Sequence, residues 1–289
     1  MKTLLNPFFV EMERGARRAE RELGLRLKVR TAAQETSIEQ QIQLVEDLIA
    51  EKVAAIVIAP GDSQRLVGVL KKAHDAGIVL VNIDNRLDAA ALQAAGLEPP
   101  PFISVDNEAG AFKAARYLAQ SAHGSTQAAI LEGIRSADNA QQRARGARRG
   151  FAENPQVQVV SSMAANWEVE PAYTATRQML RDHPQLRLLF AANDVMAIGA
   201  IRYLQESGHT QVKVAGFDAL PDAVEAIRAG QLVATVDQQA AEQGYQGVVY
   251  AHRLWQKQSV PPVTMVDTRL ITADALAATP ASPASAASR

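Results

Sequence analysis

The stretch LRLLFAANDVMAIGAIRYLQESG, residues 186–208, holds the pattern that decides the fold of this chain. An apolar run ends in Asn193 and Asp194, and an apolar helical segment follows directly. Similar runs precede helical segments elsewhere, at AAIVIAP (54–60), FISVDN (102–107) and VKVAGFD (212–218). Continuous apolar runs are typical of strands buried on both faces of a parallel sheet. Strands and helices that alternate from end to end predict an α/β architecture of parallel sheets with right-handed crossovers.

The bulk composition excludes several classes of protein. The chain has 289 residues, enough for one large domain or two ordinary ones. Its 30 basic and 31 acidic residues leave a net charge of -1, which gives no positive field for nucleic acid. The absence of cysteine excludes disulfides and thiolate metal sites. No apolar run approaches the roughly 18 residues that span a membrane, and we identify no signal peptide.

Both ends of the chain depart from the pattern. Only MKTLL (1–5) precedes Asn6, so we expect either a short first strand or a chain that begins later than the natural product.

LRLKVR (25–30) predicts a strand through its alternation of apolar and basic residues. Residues 276–289, rich in Ala, Ser and Pro, are predicted to be disordered.

Short polar side chains stand where the predicted strands end. The carboxyl ends of parallel strands meet at one edge of a sheet, where open α/β sheets bind ligands. Carboxylates and amides at this edge suit hydrogen bonding to hydroxyl groups. Any one of them alone is better explained as a helix N-cap, but five such strand ends in one chain, together with NPFF, favour a shared site. The residues expected to converge are Asp84, Asn107, Asn193, Asp218 and Gln238.

Three aromatic residues fall beside these strand ends. Phe8 and Phe9 follow the Asn6–Pro7 turn at the first edge, and Trp167 lies in the loop after the strand VQVVSS. Sugars and polyols present apolar C–H faces together with hydroxyl edges. Aromatic rings that hold the face, with polar groups that read the edge, would match both. The alternative for the two phenylalanines is ordinary core packing.

The motifs NPFFVEM, LFAANDVMAIGAI and VAGFDALPDAV resemble the periplasmic sugar-binding proteins of bacterial ABC transporters, of the ribose-binding type. The resemblance covers Asn6 to about Thr272. It implies two doubly wound parallel-sheet domains joined by three crossings, with residues 1–105 and 239–267 in one lobe and 106–238 and 268–275 in the other. It also implies a monomer in the periplasm that closes on a sugar or polyol by hinge bending and is recognised by a membrane permease. No cofactor and no metal are implied.

The resemblance carries over to particular ligand positions. These are Asn6, Phe8, Phe9, Asp84, Asn107, Trp167, Asn193, Asp218 and Gln238. Two positions depart from the family. Asp84-Asn85-Arg86 stands where Asp-Arg is frequent, so Asn85 becomes a candidate. An ungapped match places Gln141 where the ribose type has a binding Arg, with Arg143 and Asn139 as further candidates. These changes leave room for another pentose, a hexose or a sugar alcohol.

Two other functions are alternatives to transport. An enzyme is disfavoured because each of the five histidines lies in or at the end of a predicted helix, and no GxGxxG opens a βα unit. Facing carboxylates of Asp84 and Asp218 would still permit glycoside hydrolysis. A lac-repressor-type regulator carries the same sensor behind a helix-turn-helix, and nothing resembling that headpiece precedes Asn6. We therefore predict a binding protein that makes and breaks no bond.

Overall fold

The computed structural model describes residues 1–278 as an α/β protein with two sheets. Up to residue 105 the elements are α1 (Pro7–Leu23), α2 (Ile38–Ala50), β1 (Ala55–Ile58), α3 (Val67–Asp75), β2 (Val79–Ile83), α4 (Ala89–Ala94) and β3 (Phe102–Val105). From residue 107 they are α5 (Asn107–Ala119), β4 (Thr126–Glu132), α6 (Asp138–Ala152), β5 (Val157–Ala164), α7 (Val169–Asp182), β6 (Leu186–Ala191), α8 (Asp194–Glu206), β7 (Lys213–Ala215), α9 (Pro221–Arg228), β8 (Ala234–Asp237), α10 (Ala240–Trp255), β9 (Val263–Val266), β10 (Arg269–Thr272) and α11 (Ala273–Ala278). None of the helices in residues 1–278 is both long and apolar enough to cross a membrane.

The strands form two separate sheets. The first is four-stranded and parallel, in the order β1-β2-β3-β9. The second is six-stranded, in the order β10-β8-β7-β6-β4-β5, and is parallel except for the edge strand β10, which runs antiparallel to β8. The predicted α/β class with parallel sheets is confirmed, and the antiparallel edge strand is an addition that the sequence analysis did not predict.

The chain passes between the two sheets three times, after β3, after β8 and between β9 and β10. We call the four-stranded sheet with its helices the N-lobe and the six-stranded sheet with its helices the C-lobe. The exact lobe boundaries stay a prediction. The predicted disordered tail needs one correction, because residues 276–278 complete α11. The rest of that tail lies outside the described residues.

Two glycines allow α1 to pack closely on α10. A Cβ atom on Gly15 would lie 1.7 Å from the backbone oxygen of Ala241, and one on Gly244 would lie 2.0 Å from that of Met12. Any side chain at either position would therefore force the helices apart. The close packing places the start of α1, with Phe9 fully buried, against the N-lobe core.

The predicted strand at 25–30 is extended but belongs to neither sheet. Its side chains keep the expected alternation, with Leu25, Leu27 and Val29 partly buried and the basic residues between them exposed. A strand requires a hydrogen-bonded neighbour. Within residues 1–278, β1 pairs only with β2, and a groove of about 390 Å³ is lined by both 25–30 and β1. The segment therefore has the side-chain pattern of a strand but lacks the backbone hydrogen bonds to a neighbouring strand.

Candidate functional site

A buried cavity lies between the two lobes, beside the carboxyl ends of their strands. Asp84 follows β2, Asn193 follows β6 and Asp218 follows β7. Each lining residue is at most 9 % exposed. The lining consists of Lys2, Asn6, Phe8, Phe9, Glu35, Asp84, Asn139, Arg143, Trp167, Asn193, Asp218 and Gln238. Side chains from distant parts of the chain thus meet in one place, as the strand-end pattern led us to expect.

The N-lobe side of the cavity is built around the buried ammonium group of Lys2. Its Nζ atom lies 2.9 Å from Asp84 Oδ2 and 3.7 Å from Glu35 Oε2, and it also lies 5.4 Å from the centre of the Phe9 ring. Asn6 donates from Nδ2 to Glu35 Oε1 at 2.8 Å. Two carboxyl groups and one aromatic face therefore share a single cation.

Lys2 and Glu35 were not among the residues predicted from the sequence. Glu35 follows the extended segment 25–30 at a short distance in the chain, so the strand-end rule could have pointed to it. Lys2 had no such signal, because MKTLL contains too few residues to reveal a strand.

The C-lobe side is organised by Arg143, a residue of α6. Its Nε donates to Asn107 Oδ1 at 2.8 Å, its Nη1 donates to the carbonyl of Ala192 at 2.8 Å, and its Nη2 donates to Gln238 Oε1 at 3.3 Å. Nη1 also lies 3.5 Å from Asp218 Oδ1. With its donors used in this way, the guanidinium holds the polar groups of three loops in fixed positions.

Three aromatic rings form the walls. Phe8 and Phe9 meet edge to face, with ring centres 5.0 Å apart, and both belong to the core as well as to the cavity. The ring of Trp167 rests on Gly133, where an added Cβ atom would lie 2.0 Å from the ring. The guanidinium carbon of Arg143 lies 5.5 Å from the Trp167 ring centre. Core packing and cavity lining are therefore not alternatives for these rings.

Three lining atoms are buried without a hydrogen-bond partner among residues 1–278. They are Asp84 Oδ2, Asn139 Oδ1 and Trp167 Nε1. The Lys2 ammonium is close to Asp84 Oδ2 but lacks hydrogen-bond alignment, so that contact is electrostatic. Buried polar atoms are nearly always satisfied in proteins. Two acceptors and one donor on the cavity wall match the hydroxyl groups of a ligand, which both donate and accept.

Backbone strain is concentrated at the same place. Among residues 1–278, eight residues other than glycine have a positive φ angle, and three of them line the cavity: Asp84 (64°), Trp167 (70°) and Asp218 (124°). Three more are direct chain neighbours of lining residues: Asn166, Ala219 and Gln239. Lys52 and Lys257 lie elsewhere. Such conformations cost about 1–3 kcal/mol each and cluster at ligand sites. The strain therefore supports a binding role for this cavity.

Three candidates do not line the cavity. Asn85 is fully buried beside it and bonds to Pro60 and Ser63. Asn107 accepts a hydrogen bond from Arg143 Nε and so helps to hold the guanidinium in place. Gln141 needs a correction, because it is exposed and donates to the carbonyl of Arg135. Two helical positions rotate a side chain by about 200°, so Gln141 cannot share the face of α6 that carries Asn139 and Arg143.

The buried carboxyl groups are harder to ionise than ordinary ones. Burial raises the pKa of Glu35, although Lys2 opposes this effect. Burial likewise raises the pKa of Asp218 well above its usual range, and Arg143 opposes it. Asp194 lies behind the cavity and accepts hydrogen bonds from Thr235 Oγ1 and Leu220 N, yet burial raises its pKa to about 6.

The raised pKa of Asp194 predicts a particular dependence of stability on pH. Because the folded pKa exceeds the unfolded one, this group's contribution is fully present below about pH 4 and is lost as pH rises through about 6. The Asp194→Asn variant lacks this titration. We expect the stability of the parent relative to the variant to fall between pH 4 and 6, by on the order of 2 kcal/mol.

Urea unfolding of both proteins at several pH values measures this difference. Asp182→Asn, at an exposed position, is the control. Its free energy of unfolding should change with pH as that of the parent does. If the difference in the free energy of unfolding between the parent and Asp194→Asn is constant from pH 4 to 7, the raised pKa of Asp194 is contradicted.

Comparison with known proteins identifies the family. A family model described as "Periplasmic binding protein domain" matches residues 1–259. The chain belongs to the periplasmic binding protein family. This solute-binding protein is 40% identical over 257 residues to the "D-ribose/D-allose-binding protein" of Pseudomonas aeruginosa, covering 88% of this chain and 80% of the relative. It is 33% identical over 251 residues to the "D-allose-binding periplasmic protein" of Escherichia coli, covering 86% of this chain and 80% of the relative.

Solved structures give the same result. An ABC transporter solute-binding protein from Actinobacillus succinogenes with bound D-allose superposes with a TM-score of 0.89 at 39% identity, covering 95% of this chain and 96% of that one. The family and these relatives are binding proteins of transport systems, not enzymes. The predictions of a solute-binding protein of the ABC transporter type and of a non-enzymatic function are confirmed. None of these comparisons favours the lac-repressor-type alternative.

Proposed function

We propose that this solute-binding protein captures one neutral monosaccharide of the ribose or allose type between its lobes. The proposal rests on three atoms of the cavity wall that have no hydrogen-bond partner among residues 1–278: Asp84 Oδ2, which faces Lys2 as an ion pair, Asn139 Oδ1 and Trp167 Nε1. The relatives named for D-ribose and D-allose support the sugar class. In their pyranose forms these two sugars share the arrangement of hydroxyl groups at three ring carbons, so one set of polar contacts serves both.

The charges of the lining suit a ligand without charge. The acidic side chains are Glu35, Asp84 and Asp218, and the basic ones are Lys2 and Arg143. These groups already face one another as ion pairs at 2.9–3.7 Å. Hydroxyl groups would add charge-assisted hydrogen bonds to the carboxylates, which are stronger than neutral ones. Since three carboxyl groups face two cations, an anionic ligand would be repelled, whereas a neutral one leaves the existing ion pairs in place.

Binding requires the lobes to move. The cavity holds about 20 Å³, which is room for roughly one water molecule. A monosaccharide enters only when the lobes separate, and both lobes contact it only when they close again. The ligand therefore favours the closed state by the contacts it gains there. Hinge bending at the three crossings would supply the motion.

We place this protein in the periplasm as a monomer that presents its closed form to the permease of an ABC transporter. The family supports the transport role, and the relatives' names support the location. The ligand role of the cavity residues and the lobe boundaries at 105, 238 and 267 belong to the same proposal.

A titration series of sugars tests the proposal. We expect calorimetry to give tight, one-to-one binding of D-ribose or D-allose, and much weaker binding of D-glucose, which differs from D-allose at one carbon. A ligand at 100 times its dissociation constant should stabilise the protein by about 2.7 kcal/mol in thermal unfolding. Failure of both sugars to bind, or equal affinity for D-glucose and D-allose, would overturn the proposed specificity.

A further inference from the structure

The first turn of α6, in the C-lobe, is hydrogen-bonded by side chains of the N-lobe. The backbone N–H of Asp138 donates to Ser63 Oγ at 3.0 Å, and that of Asn139 donates to Asn85 Oδ1 at 3.2 Å. The backbone N–H of Ser63 donates in return to the carbonyl of Ser136 at 3.2 Å. These three bonds connect the two lobes directly.

The helix α6 has no cap of its own. Its N-cap residue is Ala137, whose side chain has no acceptor. The helices α1, α5 and α8 are preceded instead by the N-cap residues Asn6, Asp106 and Asn193, whose side chains each accept a backbone hydrogen bond. An uncapped helix start leaves backbone donors that need another partner. In this structure the other lobe provides it.

The two acceptors are held ready by their own lobe. Asn85 Nδ2 donates to the carbonyl of Pro60 at 3.0 Å and to Ser63 Oγ at 3.2 Å, which turns Oδ1 towards Asn139. Asn85 is fully buried and Ser63 is 5 % exposed. The pair therefore needs little rearrangement to receive the helix when the lobes meet.

We propose that Ser63 and Asn85 act as an interlobe cap, a pair of positioning residues that favours closure and so raises the affinity for sugar. The inference rests on the proposed function. Neither residue lines the cavity, so neither is expected to contact the ligand. When the lobes separate, water replaces the cap at the donors of α6. When they close, the preformed acceptors take over.

This role predicts an unusual signature. Apparent affinity scales with the fraction of protein that can adopt the binding-competent state. Weakening the cap therefore lowers the affinity for every ligand by the same factor. A residue that contacts the sugar would instead change the ratio of affinities between two sugars.

The first variant is Ser63→Ala, which removes one acceptor while the backbone bonds of residue 63 remain. We expect D-ribose and D-allose to bind roughly 3- to 10-fold more weakly, with their affinity ratio unchanged. The matched control is Ser136→Ala, because Ser136 is exposed and takes part through its backbone carbonyl. It should bind both sugars as the parent does.

A second variant tests the cap from the other lobe. Ala137→Ser gives α6 its own cap in the open state. Closing the lobes then gains less free energy from the interlobe cap, so the affinities for D-ribose and D-allose should fall by the same factor. In the double variant with Ser63→Ala the two effects should be less than additive. Parental affinities in both single variants, or a loss confined to one sugar, would overturn the proposal.

X-ray scattering of the sugar-free proteins separates this proposal from the proposed function. Ser63→Ala should have a larger radius of gyration than the parent and Ser136→Ala. If the parent binds no sugar but this difference is seen, the interlobe cap stands and the sugar assignment fails. If sugars bind tightly and the radii are equal, the interlobe cap fails alone.

Discussion

Replacing Asp218 with alanine is expected to weaken sugar binding by about 100-fold or more, because truncation of a buried charged partner leaves its neighbours unpaired. Gln238 Nε2 donates to Asp218 Oδ1 at 2.6 Å, and Arg143 Nη1 lies 3.5 Å from the same atom. The change also removes the carboxylate that would accept hydrogen bonds from sugar hydroxyls. Calorimetric titration of parent and variant with D-allose and D-ribose measures the loss.

The backbone at Asp218 offers a control for folding. Its φ angle of 124° lies in a region that glycine adopts without strain and other residues adopt only with strain. Asp218→Gly removes the same carboxylate and relieves that strain, so it should melt at a higher temperature than Asp218→Ala and bind sugar equally poorly. Asp222→Ala, exposed on α9, should bind normally. Near-parental affinity in either Asp218 variant would show that the cavity is not the sugar site.

Replacing Arg143 with methionine is expected to cost about 3–5 kcal/mol of stability, because it leaves a buried charge uncompensated. Asn107, Ala192 and Gln238 would each lose a hydrogen bond, and Asp218 would lose its cation. Methionine fills much of the same volume, so lost packing contributes little. Urea unfolding at pH 7 gives the free-energy difference, and sugar affinity should fall with it.

Arg145→Met is the matched control on the same helix. Arg145 is exposed and pairs with Glu108, a type of contact worth about 0–1 kcal/mol. Adding Asp218→Asn to Arg143→Met should restore part of the lost stability, since the charge left behind is then removed. A loss no larger than that of Arg145→Met would contradict the central place given to Arg143.

Much of the fold was predictable because it depends on local patterns. Apolar runs that end in Asp or Asn place Asp84, Asn193 and Asp218 at strand ends, and parallel sheets bring such ends to one edge. Two of the candidates are helix caps as well: Asn6 accepts from Phe8 N at 3.0 Å and Asn193 from Met196 N at 2.9 Å. The capping and ligand hypotheses were therefore compatible from the start.

Other parts could not be predicted from patterns along the chain. An ungapped match could not tell which face of α6 points inward, so Gln141 and Arg143 were both candidates until the helix was placed. LRLKVR has the alternation of a strand, but whether a strand forms depends on a neighbour that hydrogen-bonds to it. Lys2 reaches Asp84 across 82 positions of the chain, and no motif connects them.

The sequence by itself determined the order of strands and helices, the parallel sheets and the edge at which polar side chains gather. It did so because the patterns of burial and of helical periodicity depend on residues that are close together in the chain. Only the tertiary structure decided that a lysine from residue 2 enters the cavity, that Arg143 holds three loops together and that Ser63 and Asn85 cap a helix of the other lobe. These contacts depend on the relative placement of two lobes that the chain enters and leaves three times, and no local pattern encodes that placement.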